Sequence, residues 1–225
     1  MTRAEGGEPE TVQTLDRGLR VLELLAEAPP GRTINELAIE LGVSRAVIYR
    51  LVATLERHRV VRRADDAHVR LGFGLLELAR DVVPHLRSMA QAPLRTLAEF
   101  AGATAHLTVV DAGEALAVAV VEPRSTDMHV AYRTGARHAL GLGAAGQAIL
   151  LGQRRERPDA AAARIKPWVS TTGELQPGAT GVAAPILGVE GLQASVGVVA
   201  LGDLDVARIG PRVAAAADEI AVALR

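Results

Sequence analysis

The chain has 225 residues, a formal charge of −1, 49% hydrophobic residues and 23% charged ones. This is the composition of a folded chain with room for one or two domains and a sizeable core, not of a disordered one. Cysteine is absent, which excludes disulfides, iron–sulfur clusters, thiolate zinc sites and cysteine nucleophiles.

The first ten residues, MTRAEGGEPE, lack the apolar core of a secretory signal. No apolar run reaches the length of a membrane-spanning helix. A cytoplasmic location is the expectation, and the cysteine-free composition fits a reducing compartment. Arginine supplies all the basic residues except Lys166. GC-rich codon usage explains such a bias, and so does phosphate recognition, which arginine performs bidentately. Aromatic residues are only 2%, so the core has to be built from Ala, Val and Leu.

Residues 1–11 are polar and read as a disordered tail. Leu15, Leu19, Leu22 and Leu25, with Val21, recur at helical spacing, which predicts an amphipathic first helix ended by Pro29, Pro30 and Gly31. Thr33 followed by Glu36 reads as a capping box. It opens a second helix carrying Ile34, Leu37, Ala38 and Leu41, which Gly42 stops. Ser44 caps a third, with Val47, Ile48, Leu51, Val52 and Leu55 as its apolar stripe.

The period then changes. Residues 60–63 and 68–71 read as an arginine-studded hairpin around a polar turn at 64–67. Residues 73–83 read as helix, Pro84 interrupts, and a further helix runs to about Phe100. From residue 104 the pattern is β. Strands are predicted over 106–111 and 115–122 with a turn between them, then over 128–132. Helices are predicted over 143–152 and 160–164, strands over 181–187 and 192–201, and a closing helix over 210–225. The fold class is therefore α+β, with a mostly helical N-terminal part.

Two helices over 34–41 and 44–57, joined through Gly42 and Val43, have the layout of a helix–turn–helix, whose second helix enters the DNA major groove. Ala38 is the small residue where the helices pack closest. Gly42 suits a positive φ at the turn, and Ile48 is the apolar anchor. The hairpin that follows has the place of a wing. Its charge fits, because residues 44–70 hold seven arginines against three acids, a local +4, whereas residues 1–43 are net −4. A total near zero thus conceals a basic stretch suited to nucleic acid.

Thr14-Leu-Asp-Arg17-Gly-Leu-Arg-Val-Leu-Glu-Leu-Leu25, then Leu37 to Gly42, then Val43 to Leu55, then Val69-Arg-Leu-Gly72, resembles the N-terminal half of the IclR family of bacterial transcriptional regulators. Arg133 to Arg137, Gly146 to Leu151 and Gly178 to Pro185 resemble its effector domain. The resemblance implies a winged helix–turn–helix over 12–72, a linker helix over 73–86 and a GAF-like effector-binding domain over 87–225. It also implies dimers or tetramers, double-stranded DNA carrying an inverted repeat, and a small organic effector. On this resemblance Ser44, Arg45, Ala46, Tyr49 and Arg50 open the recognition helix. Arg62, Arg63, His68 and Arg70 are wing candidates, and Arg32 completes the expected DNA-contacting set. Arg17 is read as a packing residue. The implied effector-binding positions are Leu107, Val109, Val118, Met128, Leu142, Gly143, Ala144, Ala145, Ala183 and Val196, for each of which plain core packing is the competing reading.

The chain departs from the family pattern in places. Val47 stands where a Thr is common. Arg59 replaces a common Gly, which puts a positive φ there in doubt. Gly141 and Gly143 stand where His and Thr are common, and Gly197 and Val199 where small hydroxyl residues are. The implied pocket is poorer in polar side chains. The ligand is then more apolar, or its polar end is read by backbone N–H groups at a helix start, or sensing has degenerated.

Other motifs lead nowhere. Gly141-Leu-Gly143-Ala-Ala-Gly146 spells GxGxxG without the preceding strand core that a dinucleotide fold needs. The six histidines form no HExxH or other tight pair, and no G-x-S-x-G elbow occurs. No cofactor, metal or catalytic residue is expected. The alternative is a small-molecule sensor or enzyme on the α+β half, with the helical half used for dimerisation.

Overall fold

A computed structural model describes residues 11–28, 30–64, 66–81, 83–124, 132–155 and 166–225. The chain divides into two compact units, Met1–Val82 and Val83–Arg225.

The first unit contains α1 (Gln13–Ala26), β1 (Arg32–Thr33), α2 (Ile34–Glu40), α3 (Arg45–Arg57), β2 (Val61–Arg63), β3 (His68–Leu71) and α4 (Gly74–Ala79). The three strands form an antiparallel sheet in the order β1-β3-β2. Residues Val21, Leu24 and Leu25 of α1 pack with Leu37, Ile48, Val52, Val61 and Val69 in one core. The expected leucine stripe of α1 is thus only half inward: Leu15 and Leu19 are exposed. At about 100° per residue, Val12, Leu15 and Leu19 form a second apolar line beside the buried one.

Local chemistry fixes the turns. Thr33 Oγ1 accepts from the Glu36 N–H at 3.2 Å and the Thr33 N–H donates to Glu36 Oε2 at 2.6 Å, the reciprocal capping box. These bonds to Thr33, its backbone N–H first, hold the Glu36 carboxyl below its ordinary range. Gly42 has φ +62°, as a tight turn between α2 and α3 requires. Arg59 also has φ +62°, so the Gly-to-Arg departure leaves the left-handed turn in place. Its carbonyl accepts from the Gly74 N–H at 2.9 Å, while the Gly72 N–H donates to the Val60 carbonyl at 2.8 Å. A Cβ on Gly72 would lie 2.2 Å from the Arg59 oxygen, so only glycine permits this approach.

The helix expected over 73–83 is shorter than its sequence pattern. It ends at Ala79, and Val83 takes φ 46° before Pro84. A residue preceding proline is disfavoured in the right-handed helical region, so Val83 does not continue a helix into Pro84 and α5 begins anew.

The second unit contains α5 (Pro84–Ala101), β4 (Thr104–Asp111), β5 (Glu114–Val121), β6 (Arg137–Ala139), α6 (Gly143–Arg155), β7 (Val169–Thr172), β8 (Ala179–Ile186), β9 (Ala194–Leu201) and α7 (Val206–Leu224). The antiparallel six-stranded sheet has the order β6-β5-β4-β9-β8-β7. α5 and α7 cover one face through Leu94, Leu97, Ile209, Val213 and Ile220. On the other face Ala144 and Ala148 of α6 meet Ala183. This is a GAF-like α+β arrangement.

Two sequence expectations differ here, and two lie on undescribed residues. Residues 128–131 and 160–164 lie outside the described residues, and Tyr132 is not in a strand. The edge strand beside β5 is β6. The closing helix starts at Val206, four residues earlier than expected, because the Asp205 side chain caps it by accepting from the Arg208 N–H at 3.1 Å.

Candidate nucleic-acid surface and ligand cavity

Helix α3 presents its first turns to solvent. Ser44, Arg45, Ala46, Tyr49 and Arg50 are exposed, whereas Ile48, Leu51 and Val52 on the opposite face are buried. The Ser44 hydroxyl makes no cap bond to its own helix. Free backbone N–H groups and a hydroxyl at a helix start suit an anion. In the hairpin, Arg62 and Arg63 are exposed at β2. Arg63 stacks its guanidinium 5.6 Å from the Tyr49 ring centre and pairs with Glu56 at 3.3 Å. The wing is thereby tied to the recognition helix.

The other candidates are more committed. Arg70 donates to Asp66 and to the Pro30 carbonyl at 2.8 Å. His68 Nδ1 lies 2.9 Å from the Asp66 carbonyl. The Asp66 carboxyl sits below its ordinary range because the His68 backbone N–H bonds to it, with Arg70 adding to the effect. Arg32 donates to the Leu24 carbonyl and to Glu40, both at 3.2 Å. Arg32, His68 and Arg70 therefore brace the turn and sheet, while Arg45, Arg50 and Arg62 have no protein partner among the described residues.

The second unit holds a cavity of about 250 Å³ between the sheet, the start of α6 and the 171–176 segment. Gly143, Ala144 and Ala145 lie in its wall, with Gly181 and Val199 on its floor. His106, Tyr132 and His138 form its polar end. Tyr132 Oη is 3.3 Å from His138 Nε2, and His106 Nδ1 is 3.2 Å from Thr108 Oγ1. The His106 and Tyr132 rings are tilted, with centres 5.0 Å apart. Burial pushes the His106 imidazolium down to about 3, with His138 adding to it, so the ring is neutral near pH 7. Burial raises the Tyr132 phenol. A Cβ on Gly197 would stand 2.9 Å from His106 Cε1, so glycine there makes room for the imidazole.

Two of the GxGxxG glycines, Gly143 and Gly146, serve packing. Gly143 has φ +71°, and a Cβ on it would overlap Leu175. A Cβ on Gly146 would lie 2.5 Å from the Leu140 carbonyl. The preceding strand, β6, is antiparallel to its neighbour, so no βαβ unit exists here.

Residues 14–65 match the IclR helix-turn-helix domain, and residues 82–176 match the bacterial transcriptional regulator IclR C-terminal domain. The chain belongs to the IclR family. It is 28% identical over 139 residues to the HTH-type transcriptional regulator XynR of Escherichia coli K12, covering 59% of this chain and 54% of that protein. It is 27% identical over 143 residues to the acetate operon repressor of Salmonella typhimurium LT2, covering 62% and 52%. The matches thus span about half the length of these relatives. Among solved structures, an IclR homolog from Microbacterium hydrocarbonoxydans complexed with 4-hydroxybenzoate superposes with TM-score 0.78 at 22% identity, over 95% of this chain and 99% of the other. The IclR regulator from Alicyclobacillus acidocaldarius gives 0.75 at 22% identity, over 96% and 100%. These two share the fold.

Several expected effector positions of this IclR chain face away from the cavity. Leu107, Val118 and Val196 are buried in the α5/α7 core, and Val109 packs against it. Residues two apart on a strand share a face, and His106 is the cavity residue of β4, so Leu107 and Val109 must point the other way. Ala183 is on the α6 face but packs against Ala144 and Ala148. Leu142 is exposed and outside the wall, and Met128 lies outside the described residues. Sequence reasoning missed His106, Tyr132, His138 and Glu174. His106 carries its own signal in the sequence, because Thr104, His106 and Thr108 alternate with apolar residues along β4 and so put a polar row on one face.

Proposed function

We propose that this IclR-family chain is a ligand-responsive, DNA-binding transcriptional regulator and not an enzyme, acting in the cytoplasm as a homodimer or a homotetramer. The observation that carries it is the exposed, partner-free set of Arg45, Arg50 and Arg62 on the recognition helix and wing. Cations held out on a rigid scaffold, with no carboxylate to neutralise them, meet the phosphate backbone at little reorganisation cost. Arg45, at the helix start, suits the O6 and N7 acceptors of guanine. A dimer binds an inverted repeat whose half-sites lie about one helical turn apart. No helix among the described residues is long and apolar enough to cross a membrane, which is consistent with that location.

The cavity supports the ligand half of the reading. Its apolar wall and its polar end of His106, Tyr132 and His138 suit a small organic molecule, and the Microbacterium neighbour was crystallised with one. Effector binding shifts the balance between two arrangements of the winged helices, so operator affinity changes by the differential affinity of the ligand. Fluorescence anisotropy with the DNA upstream of its own coding sequence tests the first half. Salt-sensitive, sequence-selective binding is expected, and equal affinity for scrambled DNA overturns the reading.

A further inference from the structure

The start of α6 is where backbone N–H groups would receive an anionic ligand, but the chain fills that place itself. Glu174 Oε2 accepts from the Gly143 N–H at 2.8 Å and from Gln147 Nε2, also at 2.8 Å. Leu175, the next residue, lies against Gly143 closely enough that any side chain there would collide with it. Both Glu174 and Leu175 line the cavity. The 171–176 segment therefore delivers a carboxylate to the helix start and seats it with an apolar neighbour.

The rest of the wall offers an acid no unpaired guanidinium and no ammonium. Arg137 is its one guanidinium among the described residues, and it pairs with Asp111 and with Glu114 at 3.6 Å. His106 is buried and bonded to Thr108. Tyr132 and Thr171 contribute hydroxyls. An incoming carboxylate would meet Glu174 at close range and would have to expel it, losing two hydrogen bonds to regain the same ones. A neutral molecule meets hydroxyls, imidazoles and the second Glu174 oxygen, which accepts a donor without displacement.

We infer that Glu174 is a specificity-determining residue: it acts as a built-in anion at the start of α6, turns carboxylates away, and reserves the cavity for small uncharged molecules bearing a hydroxyl. The inference rests on the reading of this cavity as the effector site. It closes one route left open by the sequence, recognition of an acid by free backbone N–H groups.

A matched pair, benzyl alcohol and benzoate, separates the cases. Binding to the full-length chain is followed by the Gly143 amide resonance and by the shift in Tm. The wild type is expected to respond to benzyl alcohol and not to benzoate. In Glu174→Ala, benzoate affinity is expected to rise by about tenfold, the worth of a helix-start anion interaction in a partly buried place. Glu174→Gln keeps an oxygen for both hydrogen bonds and guards against loss of fold; it is expected to give a smaller gain. Benzoate binding equally well to wild type and Glu174→Ala overturns the inference. So does benzoate binding to neither variant while both keep the wild-type Tm, because Glu174 is then not what excludes it. Operator binding by the same proteins is read separately: its loss sinks the regulator reading and leaves the role of Glu174 to be decided by the resonance.

Discussion

Arg59 holds a conformation that favours glycine, φ +62°, because the backbones of Gly72 and Gly74 close on its carbonyl. A Cβ in the left-handed region costs about 1–2 kcal/mol. Its ion pair with Glu77 is exposed on both sides and compensates little. Arg59→Gly is expected to stabilise the winged-helix unit by about 1 kcal/mol, which unfolding in urea would register as a higher midpoint. A lower midpoint would mean that the ion pair outweighs the backbone strain. His106 makes the opposite kind of demand. Its unfolded form titrates near 6.5 and its buried form near 3, so between those values the unfolded chain holds the extra proton. Stability is fully present above the unfolded value and is lost as pH falls through the window toward the folded one. His106→Asn removes that slope and keeps a partner for Thr108. Urea midpoints at about pH 7.5 and about pH 4.5 check it, since the variant should lose less stability on acidification than the parent. Equal losses would show that the imidazole is not the group responsible.

At the scale of elements, recognition helix and wing do different work. Arg45 stands at the exposed start of α3, the part of a recognition helix that the proposed function turns toward base edges. Arg62 stands on β2 with no carboxylate beside it, whereas Arg63 is already held by Glu56 and Tyr49. Arg45→Ala is expected to cost about 1–3 kcal/mol and to relax selectivity at one operator position, whereas Arg62→Ala weakens all sequences alike and lowers the salt slope by about one. Binding to a panel of single-base operator variants distinguishes them, and identical panels for the two variants would contradict the division. The division itself could be read in the sequence only in part. The capping box, the Gly42 turn, the β2–β3 hairpin and β4–β5 were legible because local hydrogen bonding and period-two alternation decide them. Which arginines remain free was not, since Arg32 is claimed across a turn by the Leu24 carbonyl and by Glu40, and Arg70 by the Pro30 carbonyl forty residues away. Of the cavity, only the Gly143–Ala145 wall was legible, for the same reason. Its wall joins His106, Gly143 and Glu174, and strand alternation shows that Leu107 faces the core only once the partner helices are known. Glu174 looks like an ordinary loop acid until the fold places it 2.8 Å from the Gly143 N–H.

For the whole molecule, the charge of −1 and the local +4 over residues 44–70 set a limit on affinity. The three arginines per protomer assigned to the DNA surface, Arg45, Arg50 and Arg62, each meeting one phosphate, would release few counterions. A dimer doubles the number, so its log affinity should fall with log salt at a slope of about −5, against about −3 for one protomer. The first unit carries exposed apolar side chains suited to self-association. Val12, Leu15 and Leu19 line the outer side of α1, and Phe73, Leu76 and Leu78 are exposed around α4. Such clusters are costly to leave in water and mark interfaces. The double substitution Leu15→Ser with Leu19→Ser touches neither the buried core nor the DNA-facing arginines, so the fold should persist. Sedimentation is expected to show weakened self-association, and operator binding is expected to lose affinity together with about half its salt slope. If the variant stays dimeric and binds as the parent does, the α1 line is not the interface. If it becomes monomeric yet keeps the full slope, the three-arginine account of the DNA surface fails, because more cations per protomer must then be reaching phosphate.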